Sequence, residues 1–119
     1  MRILILEDSK DRIEFFKKLY KNCEVFIFNN ASAAINFIQI EKIDVFLVDH
    51  DLTANPDELT ENNGYEFAKR LTKTKLHQDS IFYITSMNPV GANNIVNLLK
   101  DNNYSAEWYP FNLFLVRNK

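Results

Sequence analysis

Two hydrophobic patterns alternate along the chain. Arg2-Ile3-Leu4-Ile5-Leu6 is an unbroken apolar run closed by Glu7 and Asp8, and Asp44-Val45-Phe46-Leu47-Val48-Asp49 repeats that form. Ser80-Ile81-Phe82-Tyr83-Ile84-Thr85 is a third run, Glu24-Val25-Phe26-Ile27-Phe28 a fourth, and Ala106-Glu107-Trp108-Tyr109 a weaker fifth. Runs that are continuous rather than alternating predict strands buried on both faces, as in parallel sheets.

Helical spacing fills the intervals. Ile13, Phe16, Leu19 and Tyr20 predict a helix over about 9–21, with Asp8 or Ser9 as its cap. Ala31, Ala34, Ile35 and Ile38 predict a second, capped by Asn30; Phe67, Ala68 and Leu71 a third, starting near Asn63-Gly64. Ala92, Ile95, Val96 and Leu99 predict a fourth, which Asn88-Pro89 opens well: asparagine caps, and proline suits the first helical position. The order β-α-β-α-β-α-β-α-β argues for one three-layer α/β/α domain over residues 1–119, a parallel sheet with helices on both faces. Residues 52–62 form a long acidic connection after the third strand. Only nine residues follow Pro110, too few for an ordinary closing helix, so the final helix is expected to be reduced or absent. The apolar tail over 111–119 can fold back on the exposed sheet flank, add an edge strand or build a homodimer interface.

Composition narrows the classes. With 119 residues, 46% hydrophobic and 25% charged, the chain has the make-up of one globular domain. No apolar run reaches the ~18–20 residues that span a bilayer, and the first run is too short for a signal segment. A soluble cytoplasmic protein with no membrane partner is the expectation. The net charge of −2 supplies no basic excess for a nucleic-acid backbone, which argues against general DNA binding. Cys23 is the one cysteine, so an internal disulfide and a cysteine-based zinc site are excluded. Gly64 and Gly91 are the only glycines, too few for a glycine-rich phosphate loop.

In an open parallel α/β sheet, ligands bind beyond the carboxyl ends of the strands. The residues at those ends are Glu7-Asp8, Asp49-His50-Asp51 and Thr85-Ser86-Met87-Asn88. Crowded carboxylates need a cation, a shared proton or solvent. Hard oxygen donors suit magnesium or calcium, and magnesium commonly completes its shell with phosphate oxygens. The fourth helix begins at the same rim, where its N–H groups and positive dipole end favour an anion, and Ser86 and Asn88 can add donors. Plainer roles stand beside these. Asp8 suits a helix cap, Asp51 a turn cap, and Thr85 and Ser86 ordinary strand ends. Structural and functional roles are both open to His50. His77 is expected at the surface without a partner, Cys23 in packing, and Phe15, Phe16 and Tyr20 as core or helix-surface aromatics.

The segments Ile3–Asp8, Asp44–Asp49, Asn63–Ala68, Ile84–Ser86 and Tyr109–Phe111 resemble the receiver domains of two-component signalling. The resemblance implies a five-stranded sheet of order 2-1-3-4-5. It also implies that Glu7 and Asp8 are a magnesium-binding acidic pair, Asp49 a phospho-acceptor and Thr85 the hydroxyl on strand four. The receiver lysine before proline falls at Tyr109. Val48-Asp49-His50-Asp51-Leu52, Asn63-Gly64 and Ser86-Met87-Asn88-Pro89-Val90-Gly91-Ala92 look like a narrower group, the cyclic-phosphate processing receiver domains. Those proteins carry Asp-His-Asp-Leu and Ser-x-Asn-Pro-x-Gly-Ala segments, lack the lysine, and are predicted to act on cyclic phosphates of nucleotides or RNA ends. Many carry histidine directly before the serine, where this chain has Thr85.

On that resemblance, Mg²⁺ held by Glu7, Asp8 and Asp49 would activate a cyclic phosphate. Asp49, His50 and Asp51 would carry the chemistry, with His50 or Asp51 moving the proton. Thr85, Ser86 and Asn88 would hold phosphate oxygens, and the 52–62 loop could act as a lid. Two other readings are a single-domain response regulator phosphorylated at Asp49 and a degenerate receiver that only binds proteins.

Overall fold

A computed structural model of the chain describes residues 1–52 and 63–117. The elements follow one another as β1 (Arg2–Leu6), α1 (Lys10–Leu19), β2 (Glu24–Phe28), α2 (Ala31–Ile38), β3 (Val45–Val48), α3 (Gly64–Thr74), β4 (Ile81–Ile84), α4 (Pro89–Asp101), β5 (Ser105–Trp108) and α5 (Phe111–Arg117). Each expected strand forms; the continuous apolar runs of β1 and β3 are buried on both faces, whereas β5, the weakest run, packs Ala106 and Trp108 on one face only. All the strands are parallel, in the order β2-β1-β3-β4-β5.

Alternation along β1 to β4 sorts their residues between two cores. Leu4, Leu6, Phe46, Val48, Phe82 and Ile84 pack under α2, α3 and α4. Ile3, Ile5, Val45 and Leu47 pack on the opposite face with Phe16 of α1 and Phe114 of α5. Phe46 and Phe82 stack across adjacent central strands with ring centroids 4.3 Å apart.

Side-chain caps set where the helices start. Ser9 accepts from the Arg12 N–H, Asn30 from Ala33, Asn63 from Glu66 and Asn88 from Gly91. Ser9, not Asp8, therefore caps α1.

The tail resolves into a short helix. α5 spans seven residues, so the closing helix is reduced rather than absent. It folds back on the flank next to α1, and Phe114 sets its ring against Phe16 and Tyr109 at 5.2 and 4.4 Å. His77 departs from expectation. It is half-buried, its Nε2 lies 2.9 Å from the Ile38 carbonyl oxygen, and its ring meets Phe46 edge-on at 5.4 Å. Its left-handed backbone, φ 63°, turns the side chain under α2 instead of into solvent. Of the acidic connection, Leu52 is buried and residues 53–62 lie outside the described residues. No helix among the described residues is long and apolar enough to cross a membrane.

Candidate functional site

One row of residues runs across the carboxyl edge of the sheet. The residue after each of four strands donates its backbone N–H to the last residue of a neighbouring strand. These are Glu7 to Phe28, Asp49 to Leu6, Thr85 to Val48 and Tyr109 to Ile84, at 2.9–3.0 Å. The ladder continues one step past the strands and sets these four residues in register.

Glu7, Asp8 and Asp49 converge in that row. Each offers one carboxylate oxygen, and the three atoms lie within 4.8 Å of one another. Glu7 and Asp49 are 1% and 5% exposed. Glu7 Oε2 accepts from the backbone N–H groups of Asp8 and Ser9 at 3.0 and 3.1 Å. Its other oxygen, Oε1, is buried and has no hydrogen-bond partner. Asp49 Oδ1 accepts from the His50 N–H at 2.9 Å. Burial raises the pKa of Glu7, against the pull of the Ser9 N–H and the Arg12 charge. Burial and then the Glu7 charge push Asp49 up from 3.8 to about 7.

Three buried or half-buried carboxylates with an orphaned oxygen form a donor set that fits a hard divalent cation, which would supply the partner Glu7 Oε1 lacks. The cavity above them is about 270 Å³ and is lined by Glu7, Asp8, Ser9, Arg12, Asp49, Asp51, Ser86, Met87 and Asn88. Ser86 Oγ accepts from the Asn88 N–H at 3.0 Å, which aims its own O–H elsewhere. Asn88 uses its Oδ1 on the Gly91 N–H at 3.2 Å and keeps its amide N–H groups to donate.

The Asp49 rim is held from below by α3. The Gly64 N–H donates to the His50 carbonyl at 2.9 Å, and a Cβ at Gly64 would stand 1.9 Å from the Asp49 carbonyl oxygen. Only glycine lets α3 start this close to the loop that carries Asp49 and His50.

A family model described as the cyclic-phosphate processing Receiver domain matches residues 2–101. The chain belongs to that family. None of the curated proteins compared with it matches. Solved structures show the same fold at low identity. The signal receiver domain of a putative LuxO repressor protein from Vibrio parahaemolyticus superposes with a TM-score of 0.68 and 17% identity, covering 98% of this chain and 84% of that one. A CheY-like response regulator receiver domain from Methylobacillus flagellatus gives 0.66 and 18%, over 99% and 93%. A sensor protein from Polaromonas sp. JS666 gives 0.69 and 19%, over 97% and 90%.

Within this cyclic-phosphate processing receiver, the residues expected at the site divide into groups. Glu7, Asp8, Asp49, Asp51, Ser86 and Asn88 share the cavity. Thr85 takes its place in the row but is 1% exposed and is not among the cavity's lining residues. His50 turns toward α4: a Cβ on Gly91 would lie 2.7 Å from its Cγ. It lines a separate groove of about 550 Å³ between α3 and α4, with Asn63, Tyr65 and Asn94 among its neighbours. The link back to the acidic cavity is Asp51, whose Oδ1 is 2.8 Å from His50 Nδ1.

Tyr109 reaches the row, but its ring packs between Phe114 and Tyr83 in the α1/α5 layer. The cation of the cavity comes from Arg12, which the apolar spacing of α1 did not single out. Its Nη1 lies 3.7 Å from Glu7 Oε1 and 3.9 Å from Asp49 Oδ2. One signal was available. Helical side chains lean toward the helix N-terminus, so a cation in the first turn after an acidic pair reaches back over that pair.

Proposed function

We propose that this receiver binds the cyclic phosphate of a nucleotide or RNA end, with magnesium held by Glu7, Asp8 and Asp49, and opens the ring by hydrolysis. The observation that carries this reading is the buried Glu7–Asp49 pair with an orphaned Glu7 oxygen, facing Ser86 and Asn88 across one cavity. Membership of the cyclic-phosphate processing family supplies the substrate class.

The bound ion would neutralise charge on the phosphate and make phosphorus more electrophilic. The chain's own groups do the rest. The Ser86 hydroxyl and Asn88 amide donate to non-bridging oxygens at the start of α4. Asp51 faces the cavity with His50 bonded behind it, an arrangement that suits general acid–base work. The pair takes the proton of the water that adds to phosphorus. It returns a proton to the ribose oxygen as the P–O bond breaks, leaving a phosphomonoester.

The test is to incubate the protein with 2′,3′-cyclic AMP and Mg²⁺ and follow the phosphomonoester by ³¹P NMR. Turnover should stop with chelator and fall by about a hundredfold or more in Asp49→Ala. No binding or turnover of any 2′,3′- or 1″,2″-cyclic phosphate, with the metal shown to be bound, would overturn the reading. One observation favours a phospho-accepting alternative: the Asp49 carboxylate ends β3 beside the acidic pair. A mass gain of one phosphoryl group with acetyl phosphate, lost in Asp49→Ala, would establish it.

A further inference from the structure

Four carboxylate-bearing residues line the acidic cavity: Glu7, Asp8, Asp49 and Asp51. Arg12 is the one basic side chain among its described lining residues. A phosphate entering here meets strong like charge, so the placing of that single cation matters more than in a mixed site.

Three features of Arg12 go beyond a counter-charge. Its contacts to Glu7 and Asp49, at 3.7 and 3.9 Å, exceed hydrogen-bond length, so the guanidinium attracts both carboxylates without spending an N–H on either. Its side chain lines the cavity and is 27% exposed, so it stays open to an entering ligand, unlike the buried Glu7 and Asp49. And the Phe111 ring of α5 lies 5.0 Å from the guanidinium carbon, holding it from the side. Phe111 is itself fixed by its N–H bond to the Thr85 carbonyl at 3.0 Å and by edge contacts to Phe15 and Phe16.

We propose that Arg12 is the phosphate-contacting cation of this site, and that Phe111 is the residue that positions it. This rests on the reading that a phosphate is bound over the acidic cluster. A divalent ion taken up by Glu7 and Asp49 satisfies those carboxylates and loosens their attraction for Arg12. The planar fork of the guanidinium is then available for two parallel hydrogen bonds to phosphate oxygens. The short α5 thereby gains a role in the site, because it brings the ring that Arg12 rests on.

The experiment is calorimetric titration of the full chain, first with Mg²⁺ alone and then with 2′,3′-cyclic AMP at saturating Mg²⁺. Arg12→Gln should weaken nucleotide binding by about ten- to a hundredfold, the effect of losing charge-assisted hydrogen bonds. Its Mg²⁺ affinity should be unchanged or tighter, since a competing cation is gone. Arg12→Lys should recover part of the loss, and Phe111→Leu, which leaves every polar group in place, should show a smaller loss of the same kind. If Arg12→Gln folds, binds Mg²⁺ and matches wild type for the nucleotide, Arg12 only balances the buried carboxylates and the proposal falls alone. If wild type binds Mg²⁺ but none of the 2′,3′- or 1″,2″-cyclic phosphates, the phosphate-site reading falls and takes this proposal with it.

Discussion

Asp49 sits where two demands oppose each other. Its backbone is in the ladder and its side chain is buried, so it is desolvated, yet it must face Glu7 a few ångströms away. Both effects raise its pKa to about 7. The folded protein therefore holds this proton more tightly than the unfolded chain does. The stability it contributes is complete below its ordinary value of 3.8 and is lost as pH rises to about 7. In chelator-treated protein, unfolding free energy should fall over that window by roughly 4 kcal/mol. Asp49→Asn should melt above wild type at pH 8 and converge with it near the ordinary carboxylate pKa, ~4. Thermal melts across pH check this, and equal pH profiles for the two proteins would refute it.

At the scale of elements, the helices differ in what holds them. The caps of α1, α2, α3 and α4 are local, each a side chain bonded to an N–H three residues on. These starts were legible in the sequence because a cap needs only its own first turn. α5 is different. Its seven residues are too short for helical stability by themselves, and it stands by packing. Phe114 is its anchor, 6% exposed between Phe16 and Tyr109. Phe114→Ala should cost about 3 kcal/mol in urea unfolding, in the range for a buried aromatic lost from a core. A loss well under ~1 kcal/mol would mean that α5 is only loosely docked.

At the scale of the whole molecule, strand order decides where the acids meet. β1 lies between β2 and β3, so Glu7-Asp8 and Asp49, some forty residues apart in sequence, end on neighbouring strands. A cation held by both ends binds only the folded chain and must stabilise it. At about a hundred times its Kd, Mg²⁺ should add ~2.7 kcal/mol and raise Tm by ~10 °C. Asp49→Asn should lose most of that gain. A wild-type Tm indifferent to Mg²⁺ would favour a receiver that serves only as an interaction module.

The sequence by itself determined the alternation of strands and helices, four helix starts and the row of acids at the strand ends. Each is written in a local pattern: a continuous apolar run, a 3.6-residue spacing, a cap, a charge that closes a strand. Tertiary structure alone decided which polar side chains enter the acidic cavity. Tyr109 holds the position in the row and turns its ring into the α1/α5 layer. His50 stands between two acids in sequence and faces α4. Arg12 reaches back over Glu7 and Asp49 and rests on Phe111, almost a hundred residues away in the chain. The physical reason is one of direction. A residue's place along an element follows from its own neighbours in sequence, but the way its side chain points is set by which other elements pack against it.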